Sequence, residues 1–171
     1  GSLKHQKGYD ILLEAYALSR ARQSGWTLTI FGDGVLESEI RRLIDYYDLS
    51  LVVQLNASVH NVWDYYKRSQ VFIMPSRYEG FPNALLEAIA FGMLPVVSDR
   101  IGDLTNRIRE IDDRLVFREL SASKLSESID YAATMLDRSK NIVPNVQILS
   151  EPYLTKNAIK CWNDLVERLR I

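Results

Sequence analysis

Residues 74–99 read MPSRYEGFPNALLEAIAFGMLPVVSD, and this stretch decides the fold class of the chain. Apolar runs without polar alternation, 71–74 and 94–97, lie at its two ends, as is typical of strands in a parallel sheet that is covered on both faces. Between them Gly92 is placed to end a helix. The apolar residues of that helix recur at helical spacing and are Leu85, Leu86, Ile89 and Ala90.

The stretch therefore predicts a strand, a loop, a helix and a second parallel strand. Open α/β sheets bind ligands in the loops at the carboxyl ends of their strands. The loop after the first strand contains Glu79, and Glu87 follows within the helix. Two carboxylates are thus expected near a ligand-binding edge of the sheet.

The segment PSRYEGFPNALLEA, in which seven residues separate Glu79 from Glu87, resembles the E-x7-E signature of family 4 type glycosyltransferases of the GT-B fold. The resemblance runs from about Lys7 to Asp99. It implies a three-layer α/β/α Rossmann-like domain with a mainly parallel sheet, the C-terminal half of a GT-B protein. Residues 1–171 are then expected to be one nucleotide-sugar-binding domain, with the N-terminal acceptor domain outside this sequence.

The resemblance also implies roles for individual residues. It assigns Glu79 to the hydroxyls of the donor sugar, Lys7 in KHQKG to the donor diphosphate, and Glu87 to the ribose hydroxyls. Carboxylates suit hydroxyl groups because they accept charge-assisted hydrogen bonds. The other donor-binding residues that it implies are Gly80, Phe81, Pro82, Asn83, Ala84, Leu85, Gly32 and Gly34.

Each assignment has a plainer structural alternative. Lys7 can be a solvated lysine near a helix start, Glu79 a solvated loop acid, and Glu87 a carboxylate bonded to neighbouring groups. The Gly32–Gly34 pair can be a simple tight turn. Two positions depart from the family pattern: Ser2 stands in place of a second arginine for the diphosphate, and Asn56 in place of a glycine.

The rest of the chain continues the alternation of strands and helices. Further strands are predicted at 26–31, 51–55 and 115–117, and helices at 9–22, 37–47, 62–69, 121–138 and 155–170, with a connector at 141–152. The face of the first helix is expected to bury Ile11, Leu12, Ala15, Tyr16 and Leu18. The aromatic residues Trp63, Tyr65 and Tyr66 are expected to pack in the core rather than to stack on a base.

Composition narrows the function classes. The chain has 171 residues, 47% hydrophobic and 25% charged, with a net charge of −1, so it lacks the basic field typical of nucleic-acid binding. Cys161 is the single cysteine, which excludes an internal disulfide and fits a reducing cytosol. Neither His5 nor His60 has partners at metal-ligand spacing, and no metal or other cofactor is expected.

The predicted function is donor binding in a retaining, metal-independent glycosyltransferase that uses a UDP- or GDP-linked sugar. The expected partners are that donor and a glycan or lipid-linked acceptor held by the N-terminal domain. The expected location is the cytoplasm, with peripheral association at the inner face of the cell membrane. A non-catalytic Rossmann-like nucleotide-binding or interaction module and a GT-B nucleotide-sugar epimerase stay open as alternatives. A phosphorylase is disfavoured because it would need a cofactor lysine in a different context. A receiver-like signalling domain is disfavoured because its acidic cluster is not evident.

Overall fold

A computed structural model describes residues 1–59 and 61–138. The predictions for His60, for the connector at 141–152 and for the helix at 155–170 lie outside the described residues, as does Cys161.

Parallel strands form the centre of the fold. The strands among the described residues are β1 (Leu28–Phe31), β2 (Val53–Asn56), β3 (Val71–Met74), β4 (Leu94–Ser98) and β5 (Val116–Phe117). All pairings between them are parallel, with Leu28 opposite Val53 and Val71 opposite Leu94. They form two sheets, β1–β2 and β3–β4–β5, rather than one continuous sheet.

The division between the sheets falls between β1 and β3. A groove of about 740 Å³ is lined by both strands at this point, so their facing edges do not pair with each other. Ser2 forms a parallel bridge with Asp33 just beyond β1, and the Leu3 N–H donates to the Asp33 carbonyl at 2.9 Å. The first residues of the chain therefore run parallel to the continuation of β1, and Gly1 lines this groove.

Helices cover the strands. Those among the described residues are α1 (Tyr9–Leu18), α2 (Arg20–Gln23), α3 (Glu37–Tyr46), α4 (Trp63–Tyr66), α5 (Asn83–Ala90), α6 (Leu104–Ile111) and α7 (Ala122–Arg138). Helix α1 packs on α7 and α3, while α5 packs on β3 and β4, and α6 on β4 and β5. The arrangement is the predicted three-layer α/β/α fold. None of the helices in residues 1–59 and 61–138 has the length and apolar composition that a membrane span requires.

The unit β3–α5–β4 is built as the sequence predicts. All of β4 is buried, which agrees with its unbroken apolar run. Gly92 has a φ of +84°, and its N–H donates to the Ile89 carbonyl at 2.8 Å. The Met93 N–H donates to the Ala88 carbonyl at 3.1 Å. These two bonds form a Schellman motif, which ends α5 and turns the chain back into β4.

The first predicted helix is wrong in its length. The helix α1 ends at Leu18 because Ser19 has extended backbone, with ψ of 146°, and α2 is a separate short helix. Ser19 is fully buried, and its hydroxyl donates to the Tyr16 carbonyl at 2.8 Å. Leu18, predicted to be inward, is 59% exposed, whereas Leu13 is fully buried between α1 and its neighbours.

The short helix before β3 also differs from its prediction. Its α-helical part is only Trp63–Tyr66, one turn, so only one side of it faces inward. Tyr66 is buried as predicted, but Trp63 and Tyr65 are each 43% exposed. Trp63 stacks on Phe91 with ring centroids 5.4 Å apart, and Tyr65 contacts Phe31.

Helix α6 was not predicted, although Leu104, Ile108 and Ile111 have helical spacing.

Candidate functional site

Two loops meet at the carboxyl end of β3. The first, the Lys7 loop, comprises residues 4–8 and contains a short 3-10 turn, His5–Lys7. The second, the Glu79 loop, comprises residues 75–82 and connects β3 to α5. The loops are far apart in sequence, and the fold places them side by side. This is the edge of the sheet at which the sequence predicted a ligand site.

The Lys7 ammonium and the Glu79 carboxylate form an ion pair, with Lys7 Nζ 2.8 Å from Glu79 Oε1. The Glu79 side chain is 7% exposed and that of Lys7 is 27% exposed, so the pair is largely shielded from water. The Ser76 hydroxyl donates to the same Glu79 oxygen at 2.6 Å. The lysine and the serine thus contact the same carboxylate oxygen, Oε1.

Buried serines fix the position of Glu79 through a chain of hydrogen bonds. The Ser98 hydroxyl, at the end of β4, donates to the Ser76 carbonyl at 2.6 Å, and both serines are at most 1% exposed. Burial raises the pKa of the Tyr9 hydroxyl, and the nearby negative charge of Glu79 raises it further. The Glu79 carboxylate is therefore held by a lysine and a serine, and the Tyr9 hydroxyl lies near enough to be affected by its charge.

Arg77 joins the two loops. Its guanidinium donates from Nη1 to the His5 carbonyl at 2.7 Å and to Asp10 Oδ1 at 2.9 Å, and from Nη2 to Asp10 Oδ2 at 2.6 Å. The Arg77 N–H donates to the Gln6 carbonyl at 2.8 Å, and the Gln6 amide donates to the Tyr78 carbonyl at 2.9 Å. We call this set of contacts the Arg77 clasp.

The Arg77 clasp predicts a pH-dependent stability. Burial alone would raise the pKa of Asp10, but the hydrogen bonds and charge of Arg77 outweigh it, so the pKa lies below its usual value of 3.8. A lowered folded-state pKa adds stability above the unfolded pKa and loses it as pH falls through the folded pKa. We expect Asp10→Asn to be less stable than the parent near pH 7, and the gap to close below about pH 4. Urea unfolding of both proteins across this range measures it.

Asp64→Asn is the matched control for this prediction. Asp64 is an exposed aspartate that lies 3.6 Å from Lys67, and exposed ion pairs contribute little to stability. Its free energy of unfolding should follow that of the parent at every pH. A stability gap for Asp10→Asn that stays constant down to about pH 2 would show that the ionised Asp10 carboxylate is not the stabilising group.

The start of α5 follows the Glu79 loop directly. Pro82 precedes the helix, and its carbonyl accepts from the N–H groups of Leu85 at 3.0 Å and Leu86 at 3.2 Å. Within the described chain, no hydrogen-bond acceptor is found for the Ala84 N–H. Such N–H groups and the helix dipole make a helix start favourable for anions.

The residues of 80–85 that were predicted to bind the donor differ in their exposure. Gly80, Phe81, Asn83 and Ala84 are exposed, whereas Pro82 and Leu85 are buried. A Cβ at Gly80 would contact nothing within 4 Å, so the loop has space beside this residue. Leu85 can reach a ligand only through its backbone, and its N–H is bonded to Pro82.

Glu87 lies apart from the Lys7–Glu79 pair. It is half-buried in the second turn of α5. Its charge acts on Tyr66, whose pKa is raised to about 12, chiefly by burial and then by Glu87. The structure therefore brings Lys7 and Glu79 into direct contact and places Glu87 in α5, the helix that follows the Glu79 loop.

Gly32 and Gly34 face the start of the chain. A Cβ at Gly32 would lie 2.1 Å from the Gly1 carbonyl oxygen, and one at Gly34 would lie 2.5 Å from that of Leu3. Both positions thus need glycine because residues 1–3 pass closely over them. Their role beside a nucleotide stays a prediction.

Asn56 is the last residue of β2, and its carbonyl accepts from the Gly32 N–H at 3.0 Å.

Several residues of the site were missed by sequence reasoning: Ser76, Ser98, Arg77, Asp10 and Gln6. A signal was available for the two serines, because each ends or follows an apolar strand at the ligand-binding edge. Among residues 1–59 and 61–138, no three His, Cys, Asp or Glu side chains form a group that could hold a metal ion. The metal independence of the chemistry remains a prediction.

A protein-family model described as glycosyl transferases group 1 matches residues 1–147. Among curated relatives, the amylovoran biosynthesis glycosyltransferase AmsD of Erwinia amylovora is 27% identical over 97% of this chain and 46% of its own length. An uncharacterized glycosyltransferase of Haemophilus influenzae is 22% identical over 97% of this chain and 47% of its own length. The chain thus spans about half the length of these relatives.

Solved structures share the fold. The Anabaena protein Alr3699/HepE in complex with UDP has a TM-score of 0.80 and 18% identity over 99% of this chain and 47% of its own. The catalytic domain of cholesterol-alpha-glucosyltransferase from Helicobacter pylori has a TM-score of 0.75 and 21% identity over 90% of this chain and 94% of its own. At these identities the comparison supports the architecture alone.

Proposed function

We propose that this chain, which belongs to the glycosyl transferases group 1 family, is the donor-binding domain of a glycosyltransferase. The observation that carries the proposal is the Lys7–Glu79 pair, 2.8 Å apart, at the carboxyl end of β3 and beside the start of α5. We further propose that Glu79 and Glu87 form the E-x7-E motif of a family 4 type enzyme.

The donor is proposed to be a nucleotide sugar whose diphosphate lies between Lys7 and the start of α5. A diphosphate at this point competes with Glu79 for the Lys7 ammonium and accepts from N–H groups such as that of Ala84. Release of Lys7 leaves Glu79, still held by Ser76, to accept hydrogen bonds from the sugar hydroxyls. Glu87, farther along α5, is proposed to bind the ribose hydroxyls.

The proposed reaction is sugar transfer with retention of the anomeric configuration. The bond between C1 of the sugar and the diphosphate oxygen breaks, and the acceptor oxygen bonds to C1 on the same face. The acceptor proton passes to the departing phosphate. Lys7 and the helix start stabilise the negative charge that develops on the leaving group, which is the main task of the protein and requires no metal ion.

The acceptor site is proposed to lie in an N-terminal domain, with residues 1–171 forming one donor domain. Support comes from the relatives, which are about twice as long as this chain. UDP is the first candidate nucleotide because structures of similar fold contain it, and GDP is the second. A glycan or lipid-linked acceptor in polysaccharide assembly agrees with the names of relatives from amylovoran and lipopolysaccharide biosynthesis. A location at the cytoplasmic face of the membrane is proposed with it.

Calorimetric titration of the chain with UDP, GDP and ADP tests this function. We expect one nucleotide to bind, and Glu87→Ala to weaken its binding about tenfold or more, or ~1.4 kcal/mol. The physical reason is the loss of charge-assisted hydrogen bonds to the ribose. Glu39→Ala, which removes an exposed carboxylate on α3, should leave the affinity unchanged.

Two results would contradict the proposal. If the folded chain binds none of the three nucleotides at millimolar concentration, the alternative of a non-catalytic interaction module is favoured. If a nucleotide binds but Glu87→Ala binds it equally well, the donor site does not include α5 as described.

A further inference from the structure

We infer that Arg77 is a positioning residue for the proposed donor site: through the Arg77 clasp it holds Lys7 in place beside Glu79. This inference rests on the proposed function. The hydrogen bonds of the Arg77 guanidinium go to Asp10 and the His5 carbonyl, so Arg77 acts on the donor through the Lys7 loop.

The need for such a residue follows from where the two charges lie. Lys7 and Glu79 belong to loops that are 72 residues apart in sequence. The Lys7 loop is a single 3-10 turn, whose internal bonds are only Lys7 N–H to Lys4 and Gly8 N–H to His5. One turn of this kind does not hold itself in place, since 3-10 hydrogen-bond geometry is poor. External contacts must fix it.

The Arg77 clasp supplies these contacts on both sides of Lys7. His5 and Gln6, which precede Lys7, accept from the Arg77 guanidinium and backbone N–H, and Asp10, which follows it, binds the guanidinium with two oxygens. The Arg77 side chain is 21% exposed, so this network is partly shielded from solvent. Arginine suits the position because its planar fork binds several acceptors in fixed directions at once.

In both loops, residues of the Arg77 clasp stand directly before the charged residue of the proposed site. Gln6 and Lys7 are neighbours in the first loop, and Arg77, Tyr78 and Glu79 follow one another in the second. Gln6 bonds to the backbone of Arg77 and of Tyr78, so each loop is tied one residue away from its charged group. A displacement of a catalytic group by about 1 Å can lower the reaction rate roughly a hundredfold. A loss of the Arg77 clasp that shifts Lys7 is therefore expected to affect function.

A double-mutant cycle between Arg77 and Lys7 tests the inference. We expect Arg77→Met to weaken UDP binding roughly tenfold and to leave the affinity for uridine, which has no diphosphate, within about twofold. Lys7→Met should weaken UDP at least as much. The double variant should bind UDP no more weakly than Lys7→Met alone, because Arg77 acts through Lys7. Arg77→Lys should restore only part of the affinity, since one ammonium cannot replace the fork.

Arg114→Met is the matched control. Arg114 also binds an aspartate with two nitrogens, Asp112 at 2.9 Å and 2.9 Å, but it lies at the turn before β5. Its loss should leave UDP affinity unchanged. If Arg77→Met does not fold, Asp10→Asn removes the anchor of the fork and should give a smaller loss in the same direction; an unchanged UDP affinity in that variant overturns the inference.

Hydrogen exchange separates this inference from the proposed function. Arg77→Met should speed exchange of the Lys7 and Gly8 N–H groups at least about tenfold relative to that of Tyr16, which lies two turns into α1. If the parent chain binds none of UDP, GDP and ADP, the proposed function fails, and the donor-positioning role fails with it, whatever the exchange rates are. If GDP binds in place of UDP, GDP and guanosine replace UDP and uridine in the cycle. If UDP binds, the inference is overturned by unchanged exchange of these N–H groups, or by UDP losses that multiply in the double variant.

Discussion

Replacing Gly8 by alanine is expected to destabilise the protein by about 2 to 5 kcal/mol. Gly8 has a φ of +69°, in the left-handed region that L side chains rarely adopt. A Cβ at this position would lie 2.2 Å from the Pro75 carbonyl oxygen, which is backbone and has little freedom to move. The residue is also the first backbone acceptor of α1, since its carbonyl binds the Leu12 N–H at 3.0 Å.

Gly25→Ala separates the two causes of this loss. Gly25 has a φ of +86°, but a Cβ there would meet nothing within 4 Å. This variant should therefore lose only the conformational part, about 1 to 2 kcal/mol. Urea unfolding of the two variants and the parent gives the difference, which measures the contact between the Lys7 loop and the Glu79 loop. Equal losses for Gly8→Ala and Gly25→Ala would mean that Pro75 moves aside freely and that the loops are not closely packed.

Leu13→Ala is expected to cost about 3 to 5 kcal/mol of unfolding free energy. Leu13 is fully buried in the core, on the helix α1 that packs against α7 and α3. Truncation removes buried methyl groups and leaves a cavity that a helix held on two sides closes poorly. Chemical denaturation followed by circular dichroism measures the loss.

Leu18→Ala is the control for the same chemical change in the same helix. Leu18 is 59% exposed at the last position of α1, so the cost of its truncation should stay within about 0.5 kcal/mol. The two variants also test the corrected orientation of α1. A larger loss for Leu18→Ala than for Leu13→Ala would support the inward face that the sequence pattern predicted.

The sequence predicted the βα loop and its helix well because their signals are local. The apolar runs of β3 and β4, the helical spacing in α5 and the ending at Gly92 each depend on neighbouring residues only. The prediction failed for α1 and α2, where Ser19 breaks the helix by a hydroxyl bond to its own preceding turn. Serine makes such local bonds in some settings and not in others, so its effect depends on the packing around it.

The sequence by itself determined the fold class, the edge of the sheet where the candidate site lies and the identities of Lys7, Glu79 and Glu87 as candidates. The tertiary structure decided which of them meet: Lys7 and Glu79 form an ion pair, and Glu87 lies apart. It also revealed Ser76, Ser98 and the Arg77 clasp as the groups that hold them. The physical reason is that periodicity and turn residues record local backbone preferences, whereas a contact across 72 residues depends on how strands and helices pack together.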